Sequence, residues 1–186
     1  MIDLLDRLSF GLMFLSALIM VVVTIERLIF CNVNLKSSQH AIDVVGTQVF
    51  FSGQIQGADL ISNFLREVVS DQHQALNKEQ RINVRNSFFI LIQKSLNHRI
   101  WIIDTLVTAA PLMGLLGTIF GIVDTFLALS SSGMSDPAAV SAGIGTALYA
   151  TALGISIALV GIFANNYLND QIEKICENTK ILILRL

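Results

Sequence analysis

This sequence is poor in charge. Only 14% of its 186 residues are charged and 53% are hydrophobic, whereas a soluble domain carries roughly 25% charged residues. With a mean hydropathy of +0.67, that deficit excludes an ordinary soluble chain and points to a membrane protein. No basic domain stands out, and a net charge of −2 argues against nucleic acid as a partner. Cysteine is scarce as well. Cys31 and Cys176 lie far apart, match no metal-ligand spacing and no small disulfide framework, and read as two unpaired thiols. No nucleophile–base pair, metal-ligand spacing or phosphate loop is present, so neither an enzyme, a metal site nor a cofactor is expected.

What the chain does contain is three uncharged runs. Residues 8–25 carry no charge, and Leu28, Ile29 and Phe30 extend their apolar face past Glu26 and Arg27. Between Asp104 and Asp124 lie 19 residues without a formal charge, and between Asp136 and Asp170 lie 33 more. A hydrocarbon core of ~30 Å needs about 20 apolar residues of helix, so each run can span a bilayer. The first run has acids before it and Glu26-Arg27-Leu28 after it, which fits a retained span better than a cleaved leader. The expected layout is a short external N-terminus (1–7), spans at 8–30, 101–129 and 143–168, a polar segment at 31–100, an external turn at 130–142 and a C-terminal helix at 169–186. Seven of the twelve basic residues fall in 31–100, Lys174, Lys180 and Arg185 follow the last span, and the turn has no Lys or Arg. The positive-inside rule then puts 31–100 and the C-terminus in the cytoplasm, with both thiols on the reducing side.

The cytoplasmic segment reads as helices at 36–52 and 58–70, punctuated by Gly53 and Gly57. Asn77 with Gln80 three residues later resembles a helix N-cap and its reciprocal partner. Ile82, Phe89, Ile92, Leu96, Ile100 and Ile103 then recur on one helical face. No breaker interrupts this stripe, so one continuous helix is expected from about Lys78 to Leu129. The fold class is therefore all-α: three transmembrane helices with long helical cytoplasmic extensions.

The last two spans each carry one smooth face. Ala110, Gly114, Gly117, Gly121, Asp124 and Ala128 recur at spacings of 4, 3, 4, 3 and 4, and Gly143, Ala147, Ala150, Gly154, Ala158 and Gly161 at 4, 3, 4, 4 and 3. In lipid, small residues mark close helix packing, within one chain or between copies in a homo-oligomer. Thr118 and Thr151 sit beside these faces, with Thr125 and Thr146 flanking them. A threonine in a membrane helix usually bonds its own i−4 carbonyl, but several hydroxyls beside a seam can line a polar path. They cannot drive transport alone, because no hydroxyl titrates near neutral pH. No acid lies at mid-membrane, so a titrating carboxylate must come from a partner. Asp104 and Asp124 stand at opposite ends of the second span; Asp124, on the smooth face, is a candidate interfacial or functional acid. Pro111 removes one backbone bond inside that span and reads as a kink or a hinge.

The stretches 109-AAPLMGLLGTIFGIVDTF-126 and 143-GIGTALYATALGISIAL-159 resemble the ExbB/TolQ/MotA family, whose members usually show A-P-x-x-G-L-x-G-T-V-x-G-M and G-I-x-x-A-L-x-T-T-A-x-G-L. Three spans resemble the ExbB and TolQ branch rather than the four-span MotA branch. The chain departs from that branch at Thr146, where Glu or Gln is common, and at Val160, where Pro is common. The resemblance implies a multi-pass bacterial inner-membrane protein that forms a pentamer around a dimer of a one-span partner resembling ExbD, TolR or MotB. It implies that proton flow through the assembly is coupled to work on a TonB- or TolA-like protein, with Na⁺ or a more specialised MotA-type motor as the alternative. Thr118 and Thr151 match the family's threonines on the ion path, with Thr146 a further candidate. Pro111, Gly114, Gly117, Gly121 and Gly154 match its packing pattern. The competing expectation is a passive membrane scaffold that only positions a partner.

Overall fold

The computed structural model describes residues 2–46, 59–71, 77–132 and 137–185. They form five helices: α1 (Ile2–Gly46), α2 (Leu60–Asp71), α3 (Lys78–Leu96), α4 (Ile100–Ser132) and α5 (Pro137–Arg185). No strand occurs among the described residues. Three helices are long and apolar enough to cross a bilayer, and the chain is a multi-pass all-α membrane protein. Span one lies within α1, span two within α4 and span three within α5. Helix occupies most of the expected turn, since α4 runs to Ser132 and α5 begins at Pro137; Pro suits the first turn of a helix, where its missing N–H costs nothing.

The chain divides into two units. One comprises Met1–Thr24 and Arg99–Asn165, the other Ile25–His98 and Asn166–Leu186. In the first, α1 contributes Ser9, Met13, Ser16, Met20 and Val23 to the interior, α4 contributes Ala110, Gly114, Gly117 and Thr118, and α5 contributes Ala147, Ala150, Gly154, Ala158 and Gly161. The large apolar side chains point the other way: Phe14 is 74% exposed, Leu112 61%, Phe126 60% and Phe163 68%. Small residues inside and large ones outside is the arrangement lipid favours, because lipid tails solvate Leu and Phe and leave close packing to hold the helices.

The second unit has a conventional interior. Cys31, Ile61, Phe64, Leu65, Ile92, Leu96, Leu168, Ile172, Ile175 and Leu182 are buried. Its polar contacts fix which helices meet. The Leu60 N–H donates to Asn34 Oδ1 (3.1 Å), Asn178 Nδ2 donates to Ser38 Oγ (3.0 Å), and Phe64 meets Phe88 edge-on at 6.1 Å. The α2 boundaries match the expected 58–70 helix closely. The expected 36–52 helix is the continuation of α1 as far as Gly46; its remainder, with Gly53 and Gly57, lies outside the described residues. At the start of α3 the Asn77 N–H donates to Gln80 Oε1 at 3.0 Å, as the sequence signature implied.

The continuous helix expected over 78–129 is not formed. α3 stops at Leu96, and Asn97, His98 and Arg99 separate it from α4. Asn97 caps α3, its N–H donating to Gln93 O at 3.0 Å, and Arg99 takes φ +66°, a left-handed conformation that a residue with a Cβ adopts at a cost. The compensating contact comes from α1. Arg27, only 3% exposed, donates from Nη2 to Ser95 O (3.1 Å) and Leu96 O and stacks 4.7 Å from the Phe30 ring centroid. A guanidinium on the last carbonyls of a helix satisfies orphan acceptors and opposes the negative end of the helix dipole. Of the apolar stripe, Ile92, Leu96, Ile100 and Ile103 are buried, whereas Phe89 is half-buried and Ile82 is 47% exposed. The end of α3 is thus capped by a cation supplied by another helix.

Candidate functional site: a threonine pair on a glycine seam

Within the first unit α4 and α5 run antiparallel with their smooth faces together. A Cβ placed on Gly154 would lie 2.5 Å from Ala110 O and 3.0 Å from Gly114 Cα; one placed on Gly114 would lie 2.9 Å from Ala150 O and 3.1 Å from Thr151 Cα. Backbone therefore touches backbone, and glycine is required at both positions because nothing there can move aside. Next along the seam, Gly117 and Gly121 face the methyls of Ala150 and Ala147, and a Cβ on either would come within 2.9 Å of its neighbour. The smooth faces are thus used inside one chain.

The close approach positions two hydroxyls. Thr118, 8% exposed, and half-buried Thr151 meet with their Oγ1 atoms 2.6 Å apart, and either can donate. Thr118 Oγ1 also lies 2.9 Å from Leu115 O and 3.1 Å from Gly114 O, the helix-internal acceptors that a membrane threonine normally uses. Thr151 reaches across to Gly114 O at 3.1 Å. Two protons must serve these contacts. With Thr118 donating to its own helix and Thr151 donating to Thr118 Oγ1, the 2.6 Å contact holds a proton and Thr151 Oγ1 keeps its acceptor lone pairs. The pair can accept a hydrogen bond from an incoming acid. It offers a proton in return only by giving up one of its own bonds.

The remaining expected residues stand apart. Thr146 is exposed and bonds its own helix at Gly143 O (2.8 Å) and Ala142 O (3.2 Å), and Thr125 bonds Gly121 O (2.7 Å). Asp124 is half-buried, six residues beyond Thr118 along α4, about 9 Å at 1.5 Å per residue. Pro111 lies inside α4, which continues through it. Sequence reasoning missed a second cross-helix contact, Asn165 Nδ2 donating to Asp104 Oδ1 at 2.6 Å. Nothing in the spacing of either residue announces it, because the partners come from antiparallel helices.

Comparison with known proteins agrees with this architecture. Residues 56–180 match the family described as the MotA/TolQ/ExbB proton channel family. The chain is 35% identical over 109 residues to biopolymer transport protein ExbB of Neisseria gonorrhoeae, covering 58% of this chain and 49% of that protein. It is 38% identical over 83 residues to ExbB of Aquifex aeolicus, covering 45% and 56%, and 35% identical over 82 residues to the Tol-Pal system protein TolQ of Haemophilus influenzae, covering 44% and 36%. The chain spans about half the length, or less, of these relatives. The family match covers more than half of this chain, includes both hairpin helices and the threonine pair between them, and establishes that the chain belongs to the MotA/TolQ/ExbB proton channel family.

Proposed function

We propose that this chain is the ion-path subunit of an ExbB/TolQ-like energiser of the bacterial inner membrane. Five copies surround a dimer of a one-span partner of the ExbD/TolR kind, and proton flow down its gradient is coupled to work on a TonB- or TolA-like protein. The N-terminus and the α4–α5 turn face the periplasm, while 31–100 and the C-terminus face the cytoplasm, as the Lys/Arg distribution favours. The observation that carries this reading is the Thr118–Thr151 hydroxyl pair, 2.6 Å apart across the seam. These hydroxyls cannot carry charge themselves. Their role is to exchange hydrogen bonds with a carboxyl on the partner as it gains and loses a proton, and the half-buried Thr151 is the one that meets it.

Valine keeps the shape of threonine and removes the hydroxyl. Thr151→Val is expected to assemble with the partner and lose ion-coupled work, with Thr118→Val producing the same loss. A single intramembrane hydrogen bond averages only ~0.6 kcal/mol, so neither variant should unfold. Co-purification with the partner, together with uptake or envelope-integrity assays in cells, reads both properties. Full activity in both valine variants would leave the hydroxyls as packing groups. A passive scaffold is the second reading, and one observation favours it: both hydroxyls lie on the Gly114 carbonyl, where they brace the seam without any ion.

A further inference from the structure

A second polar layer lies at the other end of the same three helices. Where Gly161 of α5 faces Val107 of α4 and Met20 of α1, a Cβ on the glycine would come within 2.8 Å of both side chains. The helix directions follow from the contacts: α4 opposes α1, with Gly117 facing Ser9, and opposes α5, with Gly121 facing Ala147. One turn further from the seam's centre therefore brings Thr24 of α1, Asp104 of α4 and Asn165 of α5 to the same level. All three belong to the first unit.

The bonding in this layer is incomplete. Asn165 Nδ2 donates to Asp104 Oδ1 at 2.6 Å, which fixes the amide's orientation, because a carboxylate requires the donor end. That choice turns Asn165 Oδ1 into the interior, where it is buried without a hydrogen-bond partner, and Thr24 Oγ1 is buried without one too. The threonine is unusual among the described threonines. Thr105, Thr108, Thr118, Thr125, Thr146 and Thr179 all bond a carbonyl of their own helix, and Thr151 bonds across to Gly114. Thr24 does neither. Leaving a buried polar atom unbonded costs about 1–3 kcal/mol, so two together call for a guest. An amide oxygen only accepts, a hydroxyl oxygen can accept, and the exposed, formally negative Asp104 carboxylate is already hydrogen-bonded to the Asn165 amide at this level. Three hard oxygens from three helices, one of them anionic, suit a hard cation.

We propose that Thr24 Oγ1, Asn165 Oδ1 and the Asp104 carboxylate form a binding site for one Na⁺ ion that ties α1, α4 and α5 together. The site is separate from the Thr118–Thr151 pair, and the proposal does not depend on which ion that pair serves.

The test uses the purified full chain in detergent, with thermal unfolding followed by circular dichroism in NaCl, KCl or choline chloride at constant ionic strength. Na⁺ is expected to raise Tm saturably, by about 3 °C at ten times Kd, and ²²Na⁺ binding is expected to approach one ion per chain. Thr24→Val and Asp104→Asn are expected to abolish both effects while unfolding in choline close to the parent; Thr24→Ser, which keeps the oxygen, is expected to retain them. Equal Tm in all three salts would overturn the site and mark the layer as filled by water only. Na⁺ stabilisation that survives in both Thr24→Val and Asp104→Asn would overturn it by locating the ion elsewhere. Because this binding needs no partner and no gradient, its failure is distinct from failure of the energiser reading.

Discussion

Asp59 shows how much one residue can set. It precedes α2 and accepts from the Ser62 N–H (3.2 Å, Oδ2) and the Ser62 hydroxyl (2.9 Å, Oδ1), the bonding of an N-cap. Partial burial works against its ionisation, but the hydrogen bonds from Ser62, with another from Ser37, outweigh it and hold the carboxyl below its usual range. The folded value lies below the unfolded one, near 3.9. Its contribution is therefore complete above that unfolded value and is lost as pH falls through the folded value. Asp59→Asn keeps a capping side chain without a titrating group, and is expected to flatten the acid side of the stability profile. Thermal midpoints of parent and variant at pH 6 and at steps below pH 4 read this directly; parallel profiles would show that the cap does not sense pH.

At the scale of elements, the α4–α5 seam and the α3–α4 break make opposite cases. Gly154→Ala would set a methyl against the carbonyl of Ala110 and the Cα of Gly114, and backbone cannot turn aside as a side chain can. Overpacking of this kind costs about 1–3 kcal/mol, and Gly154→Leu is expected to separate the helices outright. Gly145, where an added Cβ meets nothing within 4 Å, is the control. Gly145→Ala is expected to be neutral or to stabilise by up to about 1 kcal/mol through helix propensity. Unfolding of both variants in detergent separates seam contact from a general intolerance of glycine loss. The seam was legible in the sequence because small residues at spacings of 3 and 4 fall on one helical face, and the threonines beside them were legible for the same reason. The break was not. Asn97-His98-Arg99 contains no proline or glycine, and the cation that caps α3 comes from 68 residues earlier in the chain. The polar layer at Asp104 and Asn165 escaped for a related reason, since contact across antiparallel helices leaves no local period.

For the molecule as a whole, residues 56–180 place the chain in the MotA/TolQ/ExbB proton channel family. Orientation is the property most open to direct measurement. In the proposed orientation, which rests on the basic residues at 78–99 and the uncharged residues at 105–123, Lys94 lies inside and Ser130 outside. Both side chains are exposed, so a cysteine at either is open to reagents. The native thiols are poor competitors: Cys31 is fully buried, and burial pushes the Cys176 thiol up, keeping it protonated near neutral pH. In whole cells an impermeant maleimide is expected to label Ser130→Cys and to leave Lys94→Cys unlabelled until the membrane is opened. The reverse pattern would invert the topology.

The Arg27 cap also has a meaning in time. A ribosome delivers the chain from its N-terminus, so the guanidinium exists before the carbonyls of Ser95 and Leu96 that it will hold. As the last turn of α3 leaves the ribosome its donor is already made, and α4 then begins as a new helix. The glycine seam is timed the other way. Gly114, Gly117 and Thr118 are all synthesised before the residues of α5 that cover them. The first unit is therefore completed only when its last helix is made, whereas the end of α3 is settled one helix earlier.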